Sequence, residues 1–187
     1  MAHGYAGVAM REIAERLDVS KAALYHHFHD KEALLLEVLM TGVQRAGTMV
    51  AEATASPGDT RARVHALLSA MARDRHQQFD AMKLAEREAA NLSEAARATM
   101  LRAYRTEFLG PIEHVLRQGQ EAGEVRPDLE PAWLTRVLLT LAQPLLSVDA
   151  AALERTAAAT TALFFEGAGA HPQGTNARTE TGVPDPS

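Results

Sequence analysis

Between Val8 and Leu36 the apolar residues keep helical spacing, lose it for two residues and then regain it, and few folds accept such an interruption. Met10, Ile13, Ala14 and Leu17 fall at i, i+3, i+4 and i+7, the stripe of a two-turn amphipathic helix. Asp18-Val19 ends the pattern. Ser20 then stands where a hydroxyl caps a second helix, accepting from the amide of Ala22 or Ala23. On that helix Leu24 and Phe28 share a face, while Lys21, Ala22, Tyr25 and His26 lie mostly on the others. A helix, a tight turn and a second helix with a small, basic, exposed start describe a helix-turn-helix reader of the major groove.

The remaining chain also reads as helix. Asp30 is placed to cap a helix from Lys31 to about Ala55. Along it Leu35, Val38 or Leu39, Gly42, Ala46, Met49 and Ala53 recur at a period of about 3.5 residues. Ser56-Pro57-Gly58-Asp59 stops it. Residues 60–80 form another helix with Val64, Leu67, Leu68, Met71 and Phe79 inward, and a short one follows from Met82 to Ala90. Asn91 and Glu94 make a capping box for a central helix from about Leu92 to Ala122. Gly110-Pro111 kinks that helix, because proline removes a backbone bond and crowds the preceding turn, and Gly123 stops it. Pro131 opens a helix that is apolar nearly all round from Trp133 to Leu146 and so needs cover on two sides. Asp149 caps a last helix ending near Phe165, whose small residues let another helix approach. From Gly167 the chain turns to Gly, Pro, Thr and polar residues and reads as a disordered tail. The fold class is all-α, with a head over residues 1–36, a helical body over 37–166 and the tail over 167–187.

Taken together, GYAGVAMREIAERLDVSKAALYHHFHDKEALL (Gly4–Leu35) resembles the DNA-binding head of the TetR family of bacterial transcriptional regulators. The Ile-Ala pair of the first helix, the Val-Ser turn, the Leu-Tyr-His-His-Phe run and Lys-Glu-Ala-Leu-Leu all match at family spacing. GEVRPDLEP at 123–131 is similar to the connection before the last two helices of the family. The resemblance implies a homodimer joined through a four-helix interface of two C-terminal helices from each chain. It also implies a body that binds a small effector, and a long helix that carries the ligand signal to the head. Family members normally carry a full helix before the motif, and Ala2-His3-Gly4-Tyr5 matches only its end. Without that cover, Ile13, Leu17, Leu24 and Phe28 forgo roughly 5–9 kcal/mol of burial. The expectation is therefore a natural start further upstream or a loose head. Ala9 stands where the family places a capping Ser or Thr, leaving Glu12 as half of a capping box.

Charge narrows the function. The net charge is −5, so the whole chain is no generic nucleic-acid binder, and DNA binding must come from placed contacts. Residues 1–31 balance Arg11, Arg16, Lys21 and Lys31 against Glu12, Glu15, Asp18 and Asp30. The chain has no cysteine, which excludes disulfides and thiolate chemistry and suits the cytoplasm. No apolar run is long enough to span a bilayer and no signal-peptide pattern is present, so no membrane partner is expected.

Site residues follow from geometry. Lys21 and Ala22 open the recognition helix, flanked by Ser20 and Ala23, where side chains reach base edges; lysine donates to guanine and alanine touches a thymine methyl. Tyr25, His26 and Lys31 are placed for phosphates, Lys31 together with the free amides of its helix start, and Arg11 more weakly. These are equally the ordinary exposed side chains of such helices. His26, His27 and His29 lack the i, i+4 spacing that would bring imidazoles to one metal ion, so no metal or cofactor is expected. Met71, His76, Phe79, Met82, Met100, Tyr104, Phe108 and Trp133 either line an apolar effector cavity or pack the body. Val137, Leu141, Leu145, Thr156, Ala159 and Leu163 are expected at the dimer interface. No glycine-rich phosphate loop or nucleophile signature is present, so no catalytic residue is assigned. The expected function is a TetR-like repressor that binds a pseudo-palindromic operator in double-stranded DNA and is released by a small, mainly apolar ligand. The alternative is a dimeric ligand- or partner-binding protein that has lost DNA binding through an incomplete head.

Overall fold

A computed structural model describes residues 9–74 and 88–168. The described elements in chain order are α1 (Met10–Arg16), α2 (Lys21–His27), α3 (Lys31–Thr54) and α4 (Thr60–Arg73), then α5 (Glu94–Ala103), which runs on into a π-helical segment (Tyr104–Leu109). After these come α6 (Gly110–Glu121), α7 (Pro131–Leu141) and α8 (Leu153–Ala168), with short 3₁₀ turns at Ala89–Asn91, Gln143–Leu146 and Ala150–Ala152. The short helix expected from Met82 and most of the tail from 169 lie outside the described residues.

Local chemistry accounts for the helix starts. Ser20 accepts from Ala23 N–H at 3.0 Å, Asp30 from Ala33 N–H at 2.8 Å and Asp59 from Ala62 N–H at 2.8 Å. Each satisfies an amide that the helix cannot satisfy itself. At the first helix Ala9 has no acceptor to offer, but its N–H donates to the Glu12 carboxylate at 3.3 Å, so half of the box is made. The central helix differs from expectation at both its start and its middle. Its cap is Ser93, which accepts from Ala96 N–H at 3.3 Å, whereas the Asn91 amide donates to Glu88 at 2.8 Å. The disturbance around Pro111 takes the form of a π-helical turn ahead of it, with Gly110 N–H reaching back to Arg105 O. The wider turn gives the proline ring room beside a carbonyl it would otherwise strike.

The turn between α1 and α2 is a Schellman motif: Val19 N–H donates to Ala14 O at 3.0 Å and Asp18 N–H to Glu15 O at 3.3 Å. Asp18, at φ 54°, holds the left-handed conformation usually given to glycine. Asp18→Gly removes that strain at the cost of some added freedom in the unfolded chain. The net expectation is a gain of about 0.5 kcal/mol, read as a higher urea midpoint, and a lower midpoint would contradict the strain argument.

Among the described residues, apolar side chains gather in three clusters strung along α3. The head cluster holds Met10, Ala14 and Leu24, flanked by Ile13, Phe28 and Leu34. A neck cluster holds Leu35, Leu39, Leu92, Ala96 and Met100. The body cluster is the largest and draws on α3 (Val50), α4 (Leu67, Leu68), α6 (Ile112, Leu116), α7 (Leu134, Leu138) and α8 (Phe164). Leu17, expected on the buried stripe of α1, is 61% exposed, and Val38 turns outward so that Leu39 is the inward member of its pair. Along α3 it is Gly47, not Gly42, that lies on the buried face. The α4–α8 seam carries a polar set, with His65 Nε2 2.9 Å from a Glu154 carboxylate oxygen and His65 Nδ1 3.3 Å from the Thr161 hydroxyl.

Candidate nucleic-acid interface

Helix α2 presents its side chains as a groove reader requires. Leu24 alone is buried, against α1, while Lys21, Ala22, Ala23, Tyr25 and His26 are exposed. The Ser20 cap fixes the helix start, and its own side chain is exposed. Lys21 Nζ lies 5.5 Å from the centre of the Tyr25 ring. This cation–π contact restrains a flexible lysine beside the residue expected on phosphate. The His26 and His27 rings meet edge to face at 5.5 Å, and His29 lies 3.1 Å from Asp30. Arg11 pairs with Glu15 at 3.5 Å on an open surface, a contact weak enough for a phosphate to displace. Lys31 is half-buried in the first turn of α3, one residue after the Asp30 cap. The expected DNA-contact residues thus fall on α1, on α2 and its cap, and at the start of α3, with Lys21 and the small Ala22 and Ala23 at the beginning of α2.

The expected effector residues do not form one set. Met71 and Phe108 are buried in the body cluster, and Tyr104 stacks on Phe108 at 5.1 Å and 17°. Burial raises the Tyr104 hydroxyl pKa above its ordinary value. Met100 belongs to the neck cluster instead. Trp133 is 47% exposed, so it does not line an interior cavity. It sits in the first turn of α7, whose Leu134, Thr135 and Leu138 face the core. His76, Phe79 and Met82 lie outside the described residues.

At the C-terminal helices an open groove of about 500 Å³ runs between α7 and α8. It brings together Leu141, Thr156, Ala159 and Leu163, four of the residues expected at a dimer interface. Val137 is half-buried on α7, one turn before Leu141. Leu145 is a correction: it is fully buried in the body cluster. Helix α7 ends at Leu141, and the 3₁₀ turn over Gln143–Leu146 advances each residue further round the axis than an α-helix does. Leu145 is thereby rotated off the face that Leu141 occupies. Thr140, Pro144, Ala152, Arg155 and Thr160 also line the groove. Extending the Leu141 and Thr156 stripes by a turn either way would have found most of them.

Among the described residues no helix is long and apolar enough to cross a membrane. No group of three or more His, Cys, Asp or Glu there could hold a metal ion. Two family profiles cover most of the chain. Residues 1–38 match the one described as bacterial regulatory proteins, tetR family, and residues 57–145 match the tetracyclin repressor-like C-terminal domain.

The chain belongs to the TetR family.

This TetR-family chain is 27% identical over 139 residues to the transcriptional repressor DhaR of Mycobacterium sp. (strain GP1), covering 73% of its own length and 69% of DhaR. Its fold is similar to that of PfmR, a TetR-family regulator from Thermus thermophilus, with a TM-score of 0.72 at 23% identity over 88% of this chain and 91% of PfmR. AibR, solved with isovaleryl coenzyme A and operator DNA, gives a TM-score of 0.69 at 22% identity, over 87% of this chain and 90% of AibR. The TetR architecture of a helix-turn-helix head on a helical body is therefore the architecture of this protein. Its family is one of transcriptional regulators rather than enzymes.

Proposed function

We propose that this TetR-family regulator is a homodimeric, cytoplasmic repressor that reads a pseudo-palindromic operator and is released by a small, mainly apolar ligand. The observation that carries the reading is the exposed face of α2, where Lys21, Ala22, Ala23, Tyr25 and His26 stand clear of the head cluster on a helix anchored by Leu24. Lys21 and Ala22 meet base edges and give sequence preference; Tyr25, His26 and Lys31 meet phosphates and set the register. A second copy covers the α7–α8 groove, and its two-fold axis dictates the symmetry of the operator. The ligand enters the body beside Tyr104 and Phe108, whose stacked rings offer an apolar wall and a single hydroxyl. Ligand and DNA then weaken each other's binding by the same factor.

Fluorescence anisotropy with DNA from upstream of the gene tests the reading. Tight, salt-dependent binding is expected. Lys31→Ala is expected to weaken binding to every site alike and to flatten the slope of log affinity against log salt by about one counterion. A loss confined to particular sequences would contradict the phosphate role. Absence of binding, carried through a selection over genomic fragments, would return the protein to the alternative of a dimer that binds ligands or partners without DNA.

A further inference from the structure

One hydrogen bond ties two helix starts that are 61 residues apart in the chain. Ser93 caps α5 through its hydroxyl, but its own backbone N–H also needs an acceptor. In a capping box that acceptor is a Glu or Gln at the third helical position. Here the third position is Ala96, which has none. The acceptor comes from α3 instead: Glu32 Oε1 accepts from Ser93 N–H at 2.8 Å. The capping box of α5 is thus completed by a different helix. Glu32 stands in the first turn of α3, next to Lys31 and close behind the Asp30 cap. It therefore lies beside the positive ends of two helices. Hydrogen bonding from Ser93 holds its carboxyl below the usual range, so it stays ionised. Further along both helices, Leu35, Leu39, Ala96 and Met100 form the neck cluster, separate from the clusters of head and body.

We infer that Glu32 is a positioning residue: by completing the cap of α5 from α3, it fixes the angle at which the DNA-reading head leaves the body. Helix α3 is unbroken from Lys31 to Thr54, and only Phe28, His29 and Asp30 separate it from α2. A tilt at its first turn therefore reaches the recognition helix directly. The acceptor is an ionised carboxylate, which puts the bond among the stronger ones, and its exposure lets water take over both partners when the start of α5 moves, as a reversible latch requires. Its role in regulation rests on the proposed function; the positioning itself does not.

The chain contains no cysteine, so Val19→Cys and Arg117→Cys accept spin labels without competition, one on the head and one on α6 of the body. Labelled chains are diluted into unlabelled ones so that electron–electron dipolar spectroscopy reads distances within one chain. With Glu32 present a narrow distribution is expected. Glu32→Ala is expected to roughly double its width, as a released hinge does, with Glu32→Gln, a weaker neutral acceptor, in between. Asp59→Ala removes the cap of α4 and serves as the control: it lowers the melting temperature and leaves the distribution unchanged. A Glu32→Ala distribution matching the parent's overturns the inference. Should Glu32→Ala fail to fold, Glu32→Gln is held to the same criterion. The measurement uses no DNA, so a failure to bind DNA would count against the proposed function and leave this result standing.

Discussion

Glutamate at both Leu141 and Leu163 is expected to leave the protein monomeric and to cost it tight DNA binding. Leu163 is 57% exposed and Leu141 half-buried, and both line the α7–α8 groove. Across a two-fold axis each substitution occurs twice, so the covered face would hold four unpaired carboxylates. An uncompensated charge in such a place costs several kcal/mol, roughly 3–5 for each partner removed from a buried pair. On the proposed function the operator is built for two heads, so a monomer offering one would lose the gain of simultaneous engagement, on the order of a hundredfold or more. Sedimentation velocity and anisotropy read the two effects. A dimer that survives both substitutions would place the interface elsewhere. Leu145→Glu makes the contrast: it puts a charge into the body core and is expected to unfold the chain rather than divide it.

Gly47→Val is expected to lower stability by about 2–3 kcal/mol, the upper part of the range for overpacking. Gly47 lies where α3 crosses the π-helical segment, and a Cβ built there would come 2.9 Å from Glu107 Cβ and 3.0 Å from Glu107 O. The obstacle is partly backbone, so no rotamer change relieves it. The two elements must separate, and Val50 on the same helix loses part of its cover. Thermal unfolding followed by circular dichroism reads the loss. A melting temperature equal to the parent's would show that the crossing yields without strain.

The parts legible in the sequence are those decided by neighbours in the chain. Ser20 and Asp30 cap the helices that their positions predict, and Gly123, at φ 74°, ends α6 where a glycine stop is expected. The misplacements come where two faces of one helix are both apolar. Trp133 falls among the expected cavity residues because aromatics at helical spacing suit a lining, yet α7 turns Leu134 and Leu138 inward and leaves Trp133 exposed. Periodicity gives the stripes of such a helix and is silent on which of them a partner covers. Leu145 fails for another reason, since extrapolating α-helical spacing past Pro144 ignores the 3₁₀ turn. Glu32 carries no signal at all: its sequence context is an ordinary first helical turn, and its partner is a backbone amide that no side-chain pattern announces.

The three clusters along α3 bear on how the molecule comes apart. Among the described residues the head cluster buries Met10, Ala14 and Leu24, whereas the body cluster buries many large side chains from α3, α4, the π-helical segment, α6, α7, the 3₁₀ turn at Leu145 and α8. Cooperativity requires shared contacts, and clusters joined chiefly through one helix share few of them. Heating should therefore melt the head at a lower temperature than the body. Amides of α1 and α2 should exchange with solvent deuterium well before those of α4 and α6. Bound operator would then act as the scaffold on which the head finishes folding, and part of the binding energy would go into that ordering.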